Sequence, residues 1–157
     1  IAGALGQDVH FVMAGDGPEL ERVRGRIAEL GLAGRVHLPG LVSDLPGTFA
    51  AMDLYLTLNV GSVPGVAGLQ AIAAGLPAVA YQATPGYRGG EEAWIWASDD
   101  PERIADKAIE LLRSAATRDA VARRQRAHLD AHHSAEAMLR GYDDVYAAAL
   151  AARTPRA

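Results

Sequence analysis

The 157-residue chain contains no cysteine, which excludes disulfides, thiolate metal sites and cysteine nucleophiles. A cysteine-free sequence is in keeping with a reducing compartment. Aromatic residues are scarce at 6%, so the core must be built mainly from aliphatic side chains and alanine. Surplus positive charge is also missing. The formal net charge is -4, which leaves no electrostatic footprint for nucleic acid. No segment reaches the roughly 18 uninterrupted apolar residues of a membrane span. The first six residues lack a Met and a basic cluster, so they do not read as a signal peptide. They read as the last turn of a helix capped by Gly6, in a single domain that is part of a larger protein.

What is present is 50% hydrophobic residues in short, regularly interrupted runs. Asp8 to Ala14 predicts a buried strand. After Gly15-Asp16-Gly17-Pro18, a helix follows with Leu20, Val23, Ile27 and Leu30 on one stripe and Gly31 as its stop. Asp16 is its candidate cap. Arg35 to Leu38 predicts a second strand, closed by Pro39-Gly40, and Asp44 caps a helical turn over Leu45 to Met52. Asp53 to Leu58 predicts a third strand, and a loop through Gly65 leads into a small-residue helix from Val66 to Ala74, ended by Gly75. Ala78 to Tyr81 predicts a fourth strand. Gln82 to Glu92 reads as a loop, and Ala93 to Ala97 as a short fifth strand with Trp94 and Trp96 on one face. Three helices close the chain. The first starts at Asp100-Pro101 with Ile104, Ala108, Leu111 and Leu112 inward. The second is charged and peripheral over Ala115 to Asp130. The third opens at Ser134, with Met138, Tyr142, Val145, Tyr146 and Ala149 on one face, and Arg153 to Ala157 should fray. Strands alternating with helices imply an α/β, Rossmann-like three-layer domain, its parallel sheet covered by helices on both faces.

In such a sheet, ligands sit beyond the carboxyl ends of the strands. Two glycine-rich turns fall at such ends, Gly15-Asp16-Gly17-Pro18 and Gly61-Ser62-Val63-Pro64-Gly65. Backbone N–H groups at a helix start can hold phosphate oxygens, and Gly65, Ala67 and Gly68 leave that backbone approachable. Gln70, one turn further in, can reach ribose hydroxyls. The same small residues also serve close packing of a helix on a sheet, and composition leaves both uses open.

Three stretches come in order: Val12-Met13-Ala14-Gly15-Asp16-Gly17-Pro18-Glu19, Arg35-Val36-His37-Leu38-Pro39-Gly40-Leu41-Val42, and Ala71-Ile72-Ala73-Ala74-Gly75-Leu76-Pro77-Ala78-Val79-Ala80. Together they resemble the C-terminal domain of the group 1 (family 4) glycosyltransferases. That family has a GT-B fold of two Rossmann-like domains facing a cleft, and its C-terminal domain binds the nucleotide-sugar donor. The resemblance covers most of the chain, which would then lack the domain's first strand-helix unit. It implies a retaining transfer of sugar from a nucleotide-diphosphate donor to a glycan, lipid or small acceptor, with no cofactor or metal. The isolated chain would be inactive without its N-terminal acceptor domain. A cytoplasmic protein is implied, with peripheral contact at the inner face of a membrane.

By the same resemblance, Gly40, Leu41 and Val42 would lie against the base, and Gly15 and Gly17 would line the donor site. Pro64, Gly65, Val66 and Ala67 would present backbone to the diphosphate. The family's two glutamates at this turn are replaced here by Ser62 and Gln70. Gln70 keeps the capacity to bond ribose, whereas Ser62 is short and uncharged. The family's diphosphate-binding Arg and Lys would precede Ile1, and Arg88 is the substitute this sequence offers. A non-catalytic, degenerate binding module and a GT-B-like sugar-nucleotide epimerase are the competing readings. Elsewhere, His128 and His132 share a helix face beside His133, but no Glu follows the first as in zinc proteases, so a solvated face is expected. His10 and His37 read as core or edge residues of strands, and Asp99 and Asp100 as helix-start carboxylates.

Overall fold

The computed structural model describes residues 1–3, 5–58, 65–81 and 93–152. Five strands and six helices follow one another: β1 (Phe11–Ala14), α1 (Leu20–Glu29), β2 (Val36–Gly40), α2 (Leu45–Ala50), β3 (Tyr55–Thr57), α3 (Gly65–Ala73), β4 (Ala78–Tyr81), β5 (Trp96–Ser98), α4 (Pro101–Arg113), α5 (Ala115–His132) and α6 (Ala135–Ala151). Every strand pairing is parallel, as alternating strands and helices require. The strands form two sheets, β1-β2 and β3-β4-β5, where one was expected.

The three-stranded sheet carries the core. In β4, successive side chains alternate between its faces. Ala78 and Ala80 join Ile72 of α3 and Ile95, with Trp94 and Leu129 against them. Val79 turns the other way, toward Trp96 and toward Ile104 and Leu111 of α4. Helices therefore cover this sheet on both sides. A third cluster, Phe49, Ala71 and Leu76, seats α2 against α3. Trp94 and Trp96 fall in different clusters. Trp94 lies in the bend before β5 begins, so the strand's two-residue period does not govern it.

The two-stranded sheet and the segments around it correct several expectations. Val12 and Met13 are 43% and 47% exposed, so β1 is not a buried strand. Helix α1 buries none of its residues, although Gly31 ends it as expected in a left-handed conformation, φ 66°. Pro39 and Gly40 belong to β2 and do not close it. Asp16 accepts the Gly17 N–H at 2.8 Å and does not cap α1, which starts behind Glu19 without a side-chain cap. Gly6 does not adopt the left-handed cap conformation, and the opening residues form one turn, Leu5 N–H to Ile1 O at 3.3 Å. That segment ties the sheets together. Ile1 packs on the Val79–Trp96 cluster, while Arg35 at the head of β2 donates to the carbonyls of Ala2, Leu5 and Val9.

The caps of the later helices follow their side chains. Asp44, Asp100, Ser114 and Ser134 each accept a backbone N–H of the first turn. Helix α5 is less peripheral than its charge suggests. Gln125 is fully buried, accepting the Ala78 N–H at 2.7 Å and donating to the Ala78 carbonyl at 2.8 Å. It satisfies β4 at Ala78, one residue before the pairing of β4 with β5 begins at Val79–Trp96. The exposed face of α6 (Met138, Tyr142, Val145, Tyr146) packs on nothing among the described residues that would bury it. Replacing Gln125 with Leu should cost roughly 2–4 kcal/mol, since two buried backbone groups lose their partner. Urea unfolding of the variant measures this, and a loss below 1 kcal/mol would mean that water restores both bonds.

Candidate functional site

The carboxyl end of β1 turns at Gly15, whose φ of 142° lies where side chains are strained. Its N–H donates to the Gly40 carbonyl at 2.8 Å, locking this turn to the end of β2. Gly40 has φ 76°, and the chain then presents Leu41, 81% exposed. The structure thus brings Gly15, Gly17, Gly40, Leu41 and Val42 together at one sheet's carboxyl rim. An apolar, solvent-facing Leu41 beside bare backbone is suited to lie under a flat ring.

The second group follows β3. Helix α3 starts on Gly65 with φ 67°, which a residue bearing a Cβ adopts only with strain. Val66 is 73% exposed, and Ala67 and Gln70 are exposed too, while Gly68, Ala71 and Ile72 hold the opposite side against the core. In the first turn of α3, Val66 and Ala67 face solvent at the positive end of the helix dipole. Backbone N–H groups at a helix start are suited to receive an anion. Ser62, Pro64 and Arg88 lie outside the described residues, as do Gly89, Gly90 and Glu91.

The two groups stand on different sheets, each at a carboxyl end. A groove of about 600 Å³ elsewhere, between α1 and β2, is lined by Arg24, Ile27, Ala28, Val36, His37 and Leu38 and contains none of these residues. It is the gap that a helix without buried residues leaves beside its strand. His10 Nδ1 and His37 Nε2 pair in the open at 2.9 Å, and His10 precedes β1 and is not in a strand. Among the described residues, no three His, Asp or Glu side chains converge to hold a metal ion, and no helix is long and apolar enough to cross a membrane.

A profile of the glycosyl transferases group 1 matches residues 1–114. The chain belongs to this family. A 2-deoxystreptamine glucosyltransferase of Streptomyces kanamyceticus is 32% identical over 78 residues, 48% of this chain and 20% of that protein. An N-acetyl-alpha-D-glucosaminyl L-malate synthase of Bacillus anthracis is 24% identical over 142 residues, 88% of this chain and 37% of that protein. Among solved structures, HepE of Anabaena in complex with UDP-glucose superposes with a TM-score of 0.73 at 19% identity, covering 94% of this chain and 43% of that one. The group 1 chain shares the fold of HepE and spans less than half the length of each of these proteins.

Sequence reasoning missed two polar anchors of this fold. Arg118 donates to the Leu111 and Leu112 carbonyls at 3.1 and 2.9 Å and reaches Asp53 at 3.3 Å. Arg126 donates to the Ala73 carbonyl at 2.6 Å, tying down the end of α3. The signal for Arg118 was the stripe Arg118, Val121, Gln125, Leu129, whose helical spacing is plain once polar members are admitted. His128 is also more enclosed than a solvated face implies. Its ring stacks on Trp94 at 4.4 Å, and burial, then His132 and His133, lower its pKa below the usual value. Gly40→Ala should destabilise the fold by about 1–2 kcal/mol. Its added methyl meets nothing within 4 Å, so the loss is backbone strain alone. A thermal melt tests this, and an unchanged midpoint would show that the turn after β2 relaxes freely.

Proposed function

We propose that this chain is the donor-binding half of a retaining glycosyltransferase that moves a sugar from a nucleotide-diphosphate donor to a glycan, lipid or small acceptor. The observation that carries the reading is the first turn of α3, where Gly65 has φ 67°, Val66 and Ala67 face solvent, and Gln70 stands exposed one turn on. The donor diphosphate would sit on the amides of Gly65, Val66 and Ala67, with Gln70 on the ribose. Gly40, Leu41 and Val42 would face the base, beside the Gly15–Gly17 turn. Charge builds on the diphosphate as the glycosidic bond to it breaks, and oriented amides lower that barrier by stabilising charge where it develops.

The split sheet supports placing the chain in a two-domain protein. Strands β1 and β3 each pair on one side alone among the described residues, and the Ile1–Leu5 segment touches both sheets. One further parallel strand, paired to both, would merge them into a single doubly wound sheet. We place that strand, its helix and an acceptor domain in polypeptide ahead of Ile1, and accordingly expect this chain alone to be inactive. The protein would work in the cytoplasm, with membrane contact made through the other domain.

Calorimetric titration of the full-length protein with UDP-, GDP- and ADP-sugars tests the reading. One donor should bind, and Gly65→Val should weaken it about tenfold, the equivalent of 1.4 kcal/mol. Silence across the three donors would refute it. The replacement of two family carboxylates by Ser62 and Gln70 favours a second reading, a binding module without turnover. Donor binding with no transfer, and transfer gained on combining Ser62→Glu with Gln70→Glu, would decide for it.

A further inference from the structure

We propose that the end of α5 carries a binding site for a late first-row divalent transition cation, with His128 and His132 as its two protein ligands. The two residues stand one helical turn apart, and their rings are 4.3 Å apart centre to centre and tilted by 39°. That spacing lets two imidazoles direct nitrogens at one ion from consecutive turns of a rigid helix. Trp94 stacks on the His128 ring at 4.4 Å and 19°, which limits its rotation and pre-orders the chelate. The His133 ring lies further off, 6.1 Å from that of His128 and against Trp94 at 5.3 Å, so the protein supplies two ligands and water the rest. Position in the helix helps. These residues occupy its last turns, where the unpaired carbonyls and the dipole favour positive charge. The neighbouring Asp130 carboxylate is held by Arg126 at 2.9 Å and so does not compete as a ligand. Imidazole donors without thiolate or converging carboxylate select copper(II), nickel(II) or zinc(II) over magnesium or calcium.

A bound ion would pin two turns of α5 beneath Trp94, which leads directly into β5. The site shares no residue with the proposed donor site, and its test reads metal binding and not sugar transfer. Untagged protein is titrated with nickel chloride, read by calorimetry and by tryptophan fluorescence, which a paramagnetic ion beside Trp94 quenches. The expected result is one saturable site of micromolar affinity with matching quenching and a raised melting temperature. His132→Ala, at an exposed position, should weaken it by roughly tenfold or more, no less than loss of an outer-shell partner costs. His10→Ala, which breaks the other histidine pair, should leave it unchanged. Absence of saturable binding below millimolar nickel, equal affinity in His132→Ala, or loss of binding in His10→Ala would each overturn the proposal.

Discussion

Strand β4 is the element on which the rest of the molecule depends. Ala78, Val79 and Ala80 are all but inaccessible, and each face of the strand meets a different helix. Alanines toward α3 allow a close approach, with Ile72 filling the space they leave. Valine toward α4 meets Ile104 and Leu111. This division of sizes sets how near the two helices can lie to the sheet. It also decides where α3 begins, because a helix seated on Ala78 and Ala80 by Ile72 must bring its first turn out beyond the strand's end. The solvent-facing turn at Gly65 is therefore a consequence of core packing as much as of its own glycine.

Polar groups complete what apolar packing leaves undone. Gln125 bonds both backbone groups of Ala78, and Arg118 and Arg126 bind carbonyls at the ends of α4 and α3. Arg35 does the same for the opening segment. These are charge-assisted or fully buried bonds, which count for more than the solvent-facing ion pairs along α1. An Arg-rich helix with one buried Gln thus serves as a structural brace.

Most of the architecture was legible because it rests on local rules. Gly31 and Gly75 end their helices in the left-handed conformation, Asp44 and Asp100 cap theirs, and β4 runs from Ala78 to Tyr81 as its apolar run implied. The parallel arrangement followed from alternation. Burial was harder to foresee. Val12 and Met13 have the composition of core residues, but burial needs a partner surface, and no local pattern reveals whether one is present. Gln125 escaped notice for the converse reason, since its partner is backbone 47 residues away. Of the site, Gly15, Gly40 and Gly65 were visible as glycines at strand ends, and their positive φ explains why glycine stands there. The hydrogen bond joining two of them depends on strand pairing and had no sequence signature.

The division into two sheets also governs how the chain reports on itself. Among the described residues, no buried apolar cluster includes a residue of β1, α1 or β2, while both tryptophans lie within or beside the clusters around β4. The two regions form units of unequal cooperativity, the first held chiefly by its strand ladder and by Arg35. Indole emission will follow the melting of the larger unit and be blind to the smaller. Amide exchange at Phe11 to Ala14 will run ahead of that optical signal, and the lag between them gives the free energy that separates one opening from the other.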